Sequence, residues 1–305
     1  MKNSNRYRFK TISEYHKLAG LPKPGHPLVS VVNLEDVKMP VNGLSNTMIF
    51  DFYSIALKRV PDAKIKYGQQ ISDFDDGVLF FMAPGQVFTV EVHEDRIHRP
   101  TGWMILFHSD LLWNTPLAKT IKDYEFFDYT LFEALHVAEN EEITLNTVIQ
   151  QLKCETNSNI DSFTQNVIIA QIALLLNYSQ RFYQRQFITR KASNHEILNR
   201  LENVINNYLK EDLASKGLPT VTYIAEKLNI SAGYLSGLLK TLIGQNMQQY
   251  LHQKLIDLAK EKLSTTDLSV SEIAYALGFG HLQSFTKLFK TKTNLTPSAF
   301  RQSFN

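Results

Sequence analysis

The last third of the chain repeats itself. "IAEKLNISAGYLSGLLKTLIGQNMQQYL" starts at Ile224 and "IAYALGFGHLQSFTKLFKTKTNLTPSAFR" at Ile273. Ile224, Ala225 and Leu228 match Ile273, Ala274 and Leu277. After one extra residue in the second turn, Leu235, Leu239, Lys240 and Tyr250 match Phe285, Phe289, Lys290 and Phe300. A chain that writes one short pattern twice builds one supersecondary unit twice. The stretch from about Met247 to Leu263 is expected to be the single helix that joins them.

Each unit reads as helix, tight turn, helix, over about 220–243 and 269–293. Ala225 and Ala274 are small where a second helix must approach closely. Asn229 and Gly278 stand where a left-handed C-cap residue is wanted. The second helices begin at Ser231-Ala232 and near His281-Leu282, and they turn Leu235, Leu238, Leu239 and Phe285, Leu288, Phe289 inward. Their other faces carry Ser236 and Lys240 in one unit, and Gln283, Thr286, Lys287 and Lys290 in the other. This is the layout of a helix-turn-helix, whose second helix enters the DNA major groove.

The chemistry suits that task. Gln283 can bond an adenine edge, Lys287 can donate to guanine, and the Thr286 methyl can touch thymine. The base-facing set is expected to be Ser231, Ala232, Gly233 and Ser236 with His281, Leu282, Gln283, Thr286 and Lys287. Lys240, Lys290, Lys292 and Arg301 are expected on phosphates, which set register without reading sequence. The plainer reading of either unit alone is a helical hairpin with a solvated lysine face. Charge argues against it: the net charge is only +2, yet no acidic residue follows Glu272. A segment lying against a polyanion avoids carboxylates.

"GFGHLQSFTKLFKTKTNLTPSAFR" resembles the signature of the AraC/XylS family of bacterial transcription regulators. The matching positions are Gly278-Phe279, Phe289-Lys290, Thr296-Pro297 and Phe300-Arg301, and the resemblance runs over roughly Asn199–Phe304. The sequence departs from the family at several points. Asn294 stands where the family usually has Gly, and Asn tolerates left-handed geometry. Leu255 takes a position that is often Arg. Gly237, with Gly233 one turn before it, stands where the first recognition helix usually presents a large polar residue. The first unit is therefore expected to position the protein, and the second to read more of the sequence.

Upstream, residues from about 28 to 108 hold short runs rich in Val, Ile, Phe and Tyr between Gly, Pro, Asn and Asp, which suggests a sandwich or barrel. From Leu111 the pattern turns helical. Ser162–Gln186 is a long helix, apolar on nearly every face between Val167 and Leu176. Such a helix must be covered on more than one side, either within its own domain or also by its twin in a homodimer, through Phe163, Val167, Ala170, Leu174 and Tyr178. The polar "ITRKASNH" at 188–195 is the expected linker between domains at 1–187 and 196–305. The family resemblance implies a cupin-like β-barrel with dimerisation helices upstream of the all-α domain, an α+β multidomain chain. It also implies an effector in the barrel and RNA polymerase as a partner. Phe81, Phe88, Glu91, His93 and Trp103 can line a pocket there, or equally form barrel core and solvated rim.

Other functions fit less well. The histidines His93, His98 and His108 make no H-x-H pair, and no metal or other cofactor is expected. No phosphate-cradling Gly loop, nucleophile elbow or Cys/His pair points to catalysis. A protein-binding module remains a rival that salt dependence would separate from DNA binding. The single cysteine, Cys154, excludes an internal disulfide framework. The most apolar run, Val167–Leu176, is half the length of a membrane span of about 20 residues. A soluble, cytoplasmic protein is expected.

Overall fold

The computed structural model describes residues 4–38, 45–59, 65–67, 70–72, 77–91, 101–130, 133–211 and 213–303. The chain divides into two compact units, Met1–Gln186 and Phe187–Asn305.

The first unit opens with β1 (Ser4–Phe9) and α1 (Ile12–Leu18), then β2 (Val29–Asn33), β3 (Ser45–Phe50) and β4 (Tyr53–Arg59). The short pair β5 (Ile65–Tyr67) and β6 (Gln70–Ser72) follows, then β7 (Val78–Met82), β8 (Val87–Glu91) and β9 (Thr101–Phe107). The Pro84-Gly85 turn between β7 and β8 uses a left-handed glycine, with φ of 84° at Gly85. The remainder of the unit is α2 (Leu117–Thr120), β10 (Leu135–His136), α3 (Glu139–Thr156) and most of α4 (Thr164–Thr189). β10 was hidden in a stretch expected to be helical. It pairs Leu135 with Leu79 of β7, and two residues are too few to show an alternating pattern.

The larger strands form two sheets, in the orders β1-β3-β8 and β10-β7-β4-β9-β2. Pairing is antiparallel except between β1 and β3. Alternation sends successive side chains to opposite faces. Phe9, Met48 and Phe50 from the smaller sheet share one buried cluster with Val32, Ala56, Met104 and Leu106 from the larger one. The other face of the larger sheet buries Ile55, Leu57, Leu79, Ile105 and Phe107, and α3 packs across β2. Among the described residues no sheet closes into a barrel, and the two sheets share the buried cluster between them.

The second unit is helical: α5 (Lys191–Leu209), α6 (Leu213–Lys216), α7 (Val221–Leu228), α8 (Ala232–Leu242), α9 (Met247–Thr265), α10 (Val270–Ala276), α11 (Leu282–Thr293) and α12 (Pro297–Gln302). Within the expected linker at 188–195, α4 runs to Thr189 and α5 starts at Lys191, so that Arg190 alone lies outside a helix. A polar sequence is compatible with an exposed helix as well as with a coil, so composition did not separate the two. No helix among the described residues is long and apolar enough to cross a membrane.

Candidate nucleic-acid interface

The two helix-turn-helix units are built by the same local devices. The Thr220 hydroxyl accepts from the Tyr223 amide at 3.1 Å, and the Ser231 hydroxyl accepts from Tyr234 at 3.1 Å. Ser269 and Glu272 form a reciprocal capping box at the start of α10. At the first turn Asn229 is left-handed, with φ of 57°, and the Ile230 amide donates back to Ala225 O at 3.1 Å. At the second turn Gly278 has φ of 79°, and the Phe279 amide donates back to Ala274 O at 3.0 Å. Both are Schellman-type closures. Gly278 is further constrained, since a Cβ there would lie 2.9 Å from Leu213 O. Asn294 adopts the left-handed C-cap of α11, with φ of 61°, as its tolerance of that geometry implied.

Two small cores hold the units. Leu201, Ile205, Ile224, Ala225, Leu228, Leu235 and Leu239 pack with Met247 and Leu251 from the first half of α9. Ile273, Ala274, Leu277, Phe285 and Phe289 pack with Leu255, Ile256, Ala259 and Leu263 from its second half. One helix thus seats in both cores. Leu255 is wholly buried there, which explains why an apolar residue suits that position. Asn246 caps α9 by a reciprocal pair of bonds with Gln249.

The outward face of α11 is polar and basic. His281, Leu282, Gln283, Lys287, Lys290 and Lys292 are exposed and Thr286 is half-buried, while Phe285 and Phe289 are completely sealed beneath. Ser284 and Thr291, which sequence reasoning passed over, are exposed on the same helix. The i, i+3 spacing of Ser284 to Lys287 would have found the first of them. The face of α8 is much flatter. Ser231, Ala232, Gly233, Ser236 and Gly237 are half-buried, and the Ser236 hydroxyl donates to Ala232 O at 2.9 Å within its own helix. Lys240 is exposed. The sequence between Glu226 and Asp257 is also free of carboxylates, a signal that matches the acid-free tail and went unread.

Arg301, expected on phosphate, has two of its donors engaged within its own unit: Nε donates to Leu263 O at 3.2 Å and an Nη to Leu268 O at 2.6 Å. The guanidinium therefore satisfies the Leu263 carbonyl, which the end of α9 leaves without a helical partner, and the Leu268 carbonyl in the loop before α10. Arg301→Ala should cost about 1–3 kcal/mol by stranding those acceptors, and Arg301→Lys should recover only part, because an ammonium lacks the fork. Denaturant midpoints of both variants check this. An alanine variant of unchanged stability but weaker DNA binding would return Arg301 to the phosphates. Arg200, not singled out from sequence, plays a similar part by donating to Leu228 O at 2.9 Å. Lys254 is engaged too: Glu202 accepts from Lys254 Nζ and from the Tyr250 hydroxyl, each at 3.1 Å, and the bond from Lys254 holds the Glu202 carboxyl below its usual range.

Of the residues expected to line one pocket, Phe81 and Trp103 lie on a different face from Phe88. Phe81 and Trp103 pair across from Ile55 and Leu57, on the helix-covered face of the larger sheet. There Phe81 meets Phe126 with ring centres 4.3 Å apart, and Trp103 Nε1 donates to Asn146 at 2.8 Å. Phe88 belongs to the cluster between the sheets. The strand register decides these faces, and residue type alone could not. Glu91 ends β8, its side chain lies outside the described set, and His93 and His98 lie outside the described residues. Among the described residues no group of three His, Cys, Asp or Glu side chains is placed to hold a metal ion.

α4 sorts its apolar residues by face. Ile168, Ile172, Leu175, Leu176 and Phe182 are buried, while Phe163, just before the helix, is 70% exposed, Val167 39% and Leu174 43%. Ala170 is exposed on the same stripe. Tyr178 is half-buried and stacks on Phe182, with centres 5.9 Å apart.

The family model described as a helix-turn-helix domain matches residues 224–303. "Probable transcription factor PqrA" of Proteus vulgaris is 31% identical over 106 residues, covering 33% of this chain and 86% of that protein. The "HTH-type transcriptional activator RhaS" of Salmonella heidelberg (strain SL476) is 24% identical over 271 residues, covering 83% and 86%. "Uncharacterized HTH-type transcriptional regulator YfiF" of Bacillus subtilis (strain 168) is 29% identical over 138 residues, covering 45% of this chain and 41% of YfiF, so the chain spans less than half of that relative. With two matching helix-turn-helix units on one shared helix, and with these relatives, the chain belongs to the AraC/XylS family of DNA-binding transcription regulators.

Proposed function

We propose that the protein is a one-component, sequence-specific transcription regulator in which α11 reads bases and α8 mainly fixes position. Gln283, Thr286 and Lys287, with His281, Leu282 and Ser284 beside them, meet base edges in one major-groove turn. Ser231, Ala232, Gly233 and Ser236 offer a low surface to the next turn, and Lys240, Lys290 and Lys292 meet phosphates. The observation that carries this reading is the sorting of α11: two phenylalanines fully buried below, with glutamine and lysines exposed above and no carboxylate along the helix.

Residues 1–187 are read as a cupin-like sensory and dimerising domain, and 196–305 as the DNA-binding domain. Two sheets facing each other over a common core support the first part. The exposed stripe of Phe163, Val167, Ala170 and Leu174 on and beside α4 supports pairing with a second copy. An effector would act only through its differential affinity for two arrangements of the protein. The printed name of RhaS supports a reading as an activator, which would engage RNA polymerase; transcription in vitro would have to rise, not fall, on addition of the protein.

Selection of bound sequences from random duplexes tests the rest. It should return paired half-sites, each covering two successive major-groove turns, and a lone half-site would sink the dimer. Binding should weaken along a straight line in log salt, and Lys290→Ala should reduce that slope by about 1 while weakening all sequences alike. Salt-independent binding would instead favour an apolar protein partner.

A further inference from the structure

Tyr234 carries the aromatic ring of α8, and it is sealed: 3% of it is exposed, and 3% of Phe187. The two rings meet edge to face with their centres 5.0 Å apart. Both residues belong to the second unit, of which Phe187 is the first residue, although Phe187 stands in the last turn of α4. Asn194 of α5, itself buried, donates from its side-chain amide to Phe187 O, so the ring is carried on a clasped backbone. The Tyr234 amide is in turn the donor to the Ser231 cap. The residue that closes the start of α8 is thus the one that Phe187 touches.

α8 depends on such contacts. It has 11 residues, fewer than a helix needs to persist by itself in water, and Gly233 and Gly237 lower its helical preference further. Leu235 and Leu239 enter the first core, and Leu238 is buried beside them. At about 100° per residue, Tyr234 stands about 100° round from Leu235, at the margin between this buried arc and the face that holds Gly233 and Gly237. A helix lying on a core can rock about its line of contact, and a wedge at the margin stops it. Rocking matters more for α8 than for α11. The face of α8 offers Ser231, Ala232, Gly233, Ser236 and Gly237, and none of these has a long side chain that could re-aim itself after a small rotation.

We propose that Phe187 is a positioning residue for DNA binding: its ring wedges Tyr234 and fixes the rotation at which α8 presents Ser231, Gly233 and Ser236 to the duplex. The working DNA-binding domain then starts in the last turn of α4 and not at residue 196. The proposal rests on the reading of α8 as a DNA-facing helix.

Hydroxyl-radical footprinting of the full chain, at saturation on the duplex it selects, resolves the two sub-sites. The parent should protect both. Phe187→Ala should lose protection over the α8 sub-site and about tenfold in affinity, while protection and base preference over the α11 sub-site persist. Phe187→Leu refills the seat and should recover the α8 protection and most of the affinity. If the alanine variant does not fold, Phe187→Val, which leaves part of the seat empty, should show the same one-sided loss in smaller degree. A general loss of stability would weaken both sub-sites together and track the thermal midpoint. That outcome overturns the proposal, as does an unchanged footprint in the truncated variant, or a leucine variant no better than the truncated one. A parent that protects one sub-site only removes the reading of α8 itself, and the proposal with it, so the parent and the variants tell the two failures apart.

Discussion

Phe285→Ala should destabilise the second helix-turn-helix unit by about 3–5 kcal/mol and abolish specific DNA binding. Phe285 is fully buried and packs edge-on against Phe279, with centres 5.3 Å apart. Phe289 follows at 5.8 Å and in turn meets Phe300 at 5.5 Å. Truncation removes the middle of this aromatic row and leaves a void that helices of 7 and 12 residues cannot close without shifting. The anchor lies on the reading helix itself, so the loosened element is the one that must be held in register. A denaturant series on the full chain, with a duplex-binding assay beside it, measures both effects. Gln283→Ala, on the same helix but exposed, should stay within about 0.5 kcal/mol of the parent in stability. A loss below about 1 kcal/mol for Phe285→Ala would mean that α11 is not fixed by this core.

Gln283→Ala and Lys287→Ala should each reduce discrimination between the preferred duplex and base-substituted versions of it by about 1–3 kcal/mol. Overall affinity should fall less than selectivity, because the phosphate contacts remain. Ser236→Ala should change the preferred sequence little, since its hydroxyl already bonds Ala232 O and Gly233 and Gly237 flank it. Competition between labelled and base-substituted duplexes gives the three differences directly. If Ser236→Ala moves the preferred sequence and the other two do not, the division of labour between the units runs the other way.

What the sequence made legible was local. The turns at Asn229, Gly278 and Asn294 follow from left-handed geometry that few residue types accept, so identity at one position nearly decides conformation. The inward and outward faces of α8 and α11 follow from helical spacing. The roles that stayed hidden depend on partners distant in sequence. Arg301 bonds carbonyls 38 and 33 residues earlier, and an arginine in a basic tail looks alike whether it meets a carbonyl or a phosphate. Phe81 and Phe88 could be sorted to opposite faces only once the strand pairing was known.

The seat of α9 in both small cores turns the protein into a ruler. Met247 and Leu251 are fixed at one end of the rod, and Leu255 to Leu263 at the other. On the docking proposed above, inserting one base pair between the two sub-sites of a half-site moves the second by about 3.4 Å and turns it by roughly 35° about the duplex axis. A rod bolted at both ends has no joint to follow that screw motion. The mismatch must be absorbed by bending or untwisting the duplex, so tolerance for altered spacing becomes a property of the DNA's stiffness and not of the protein.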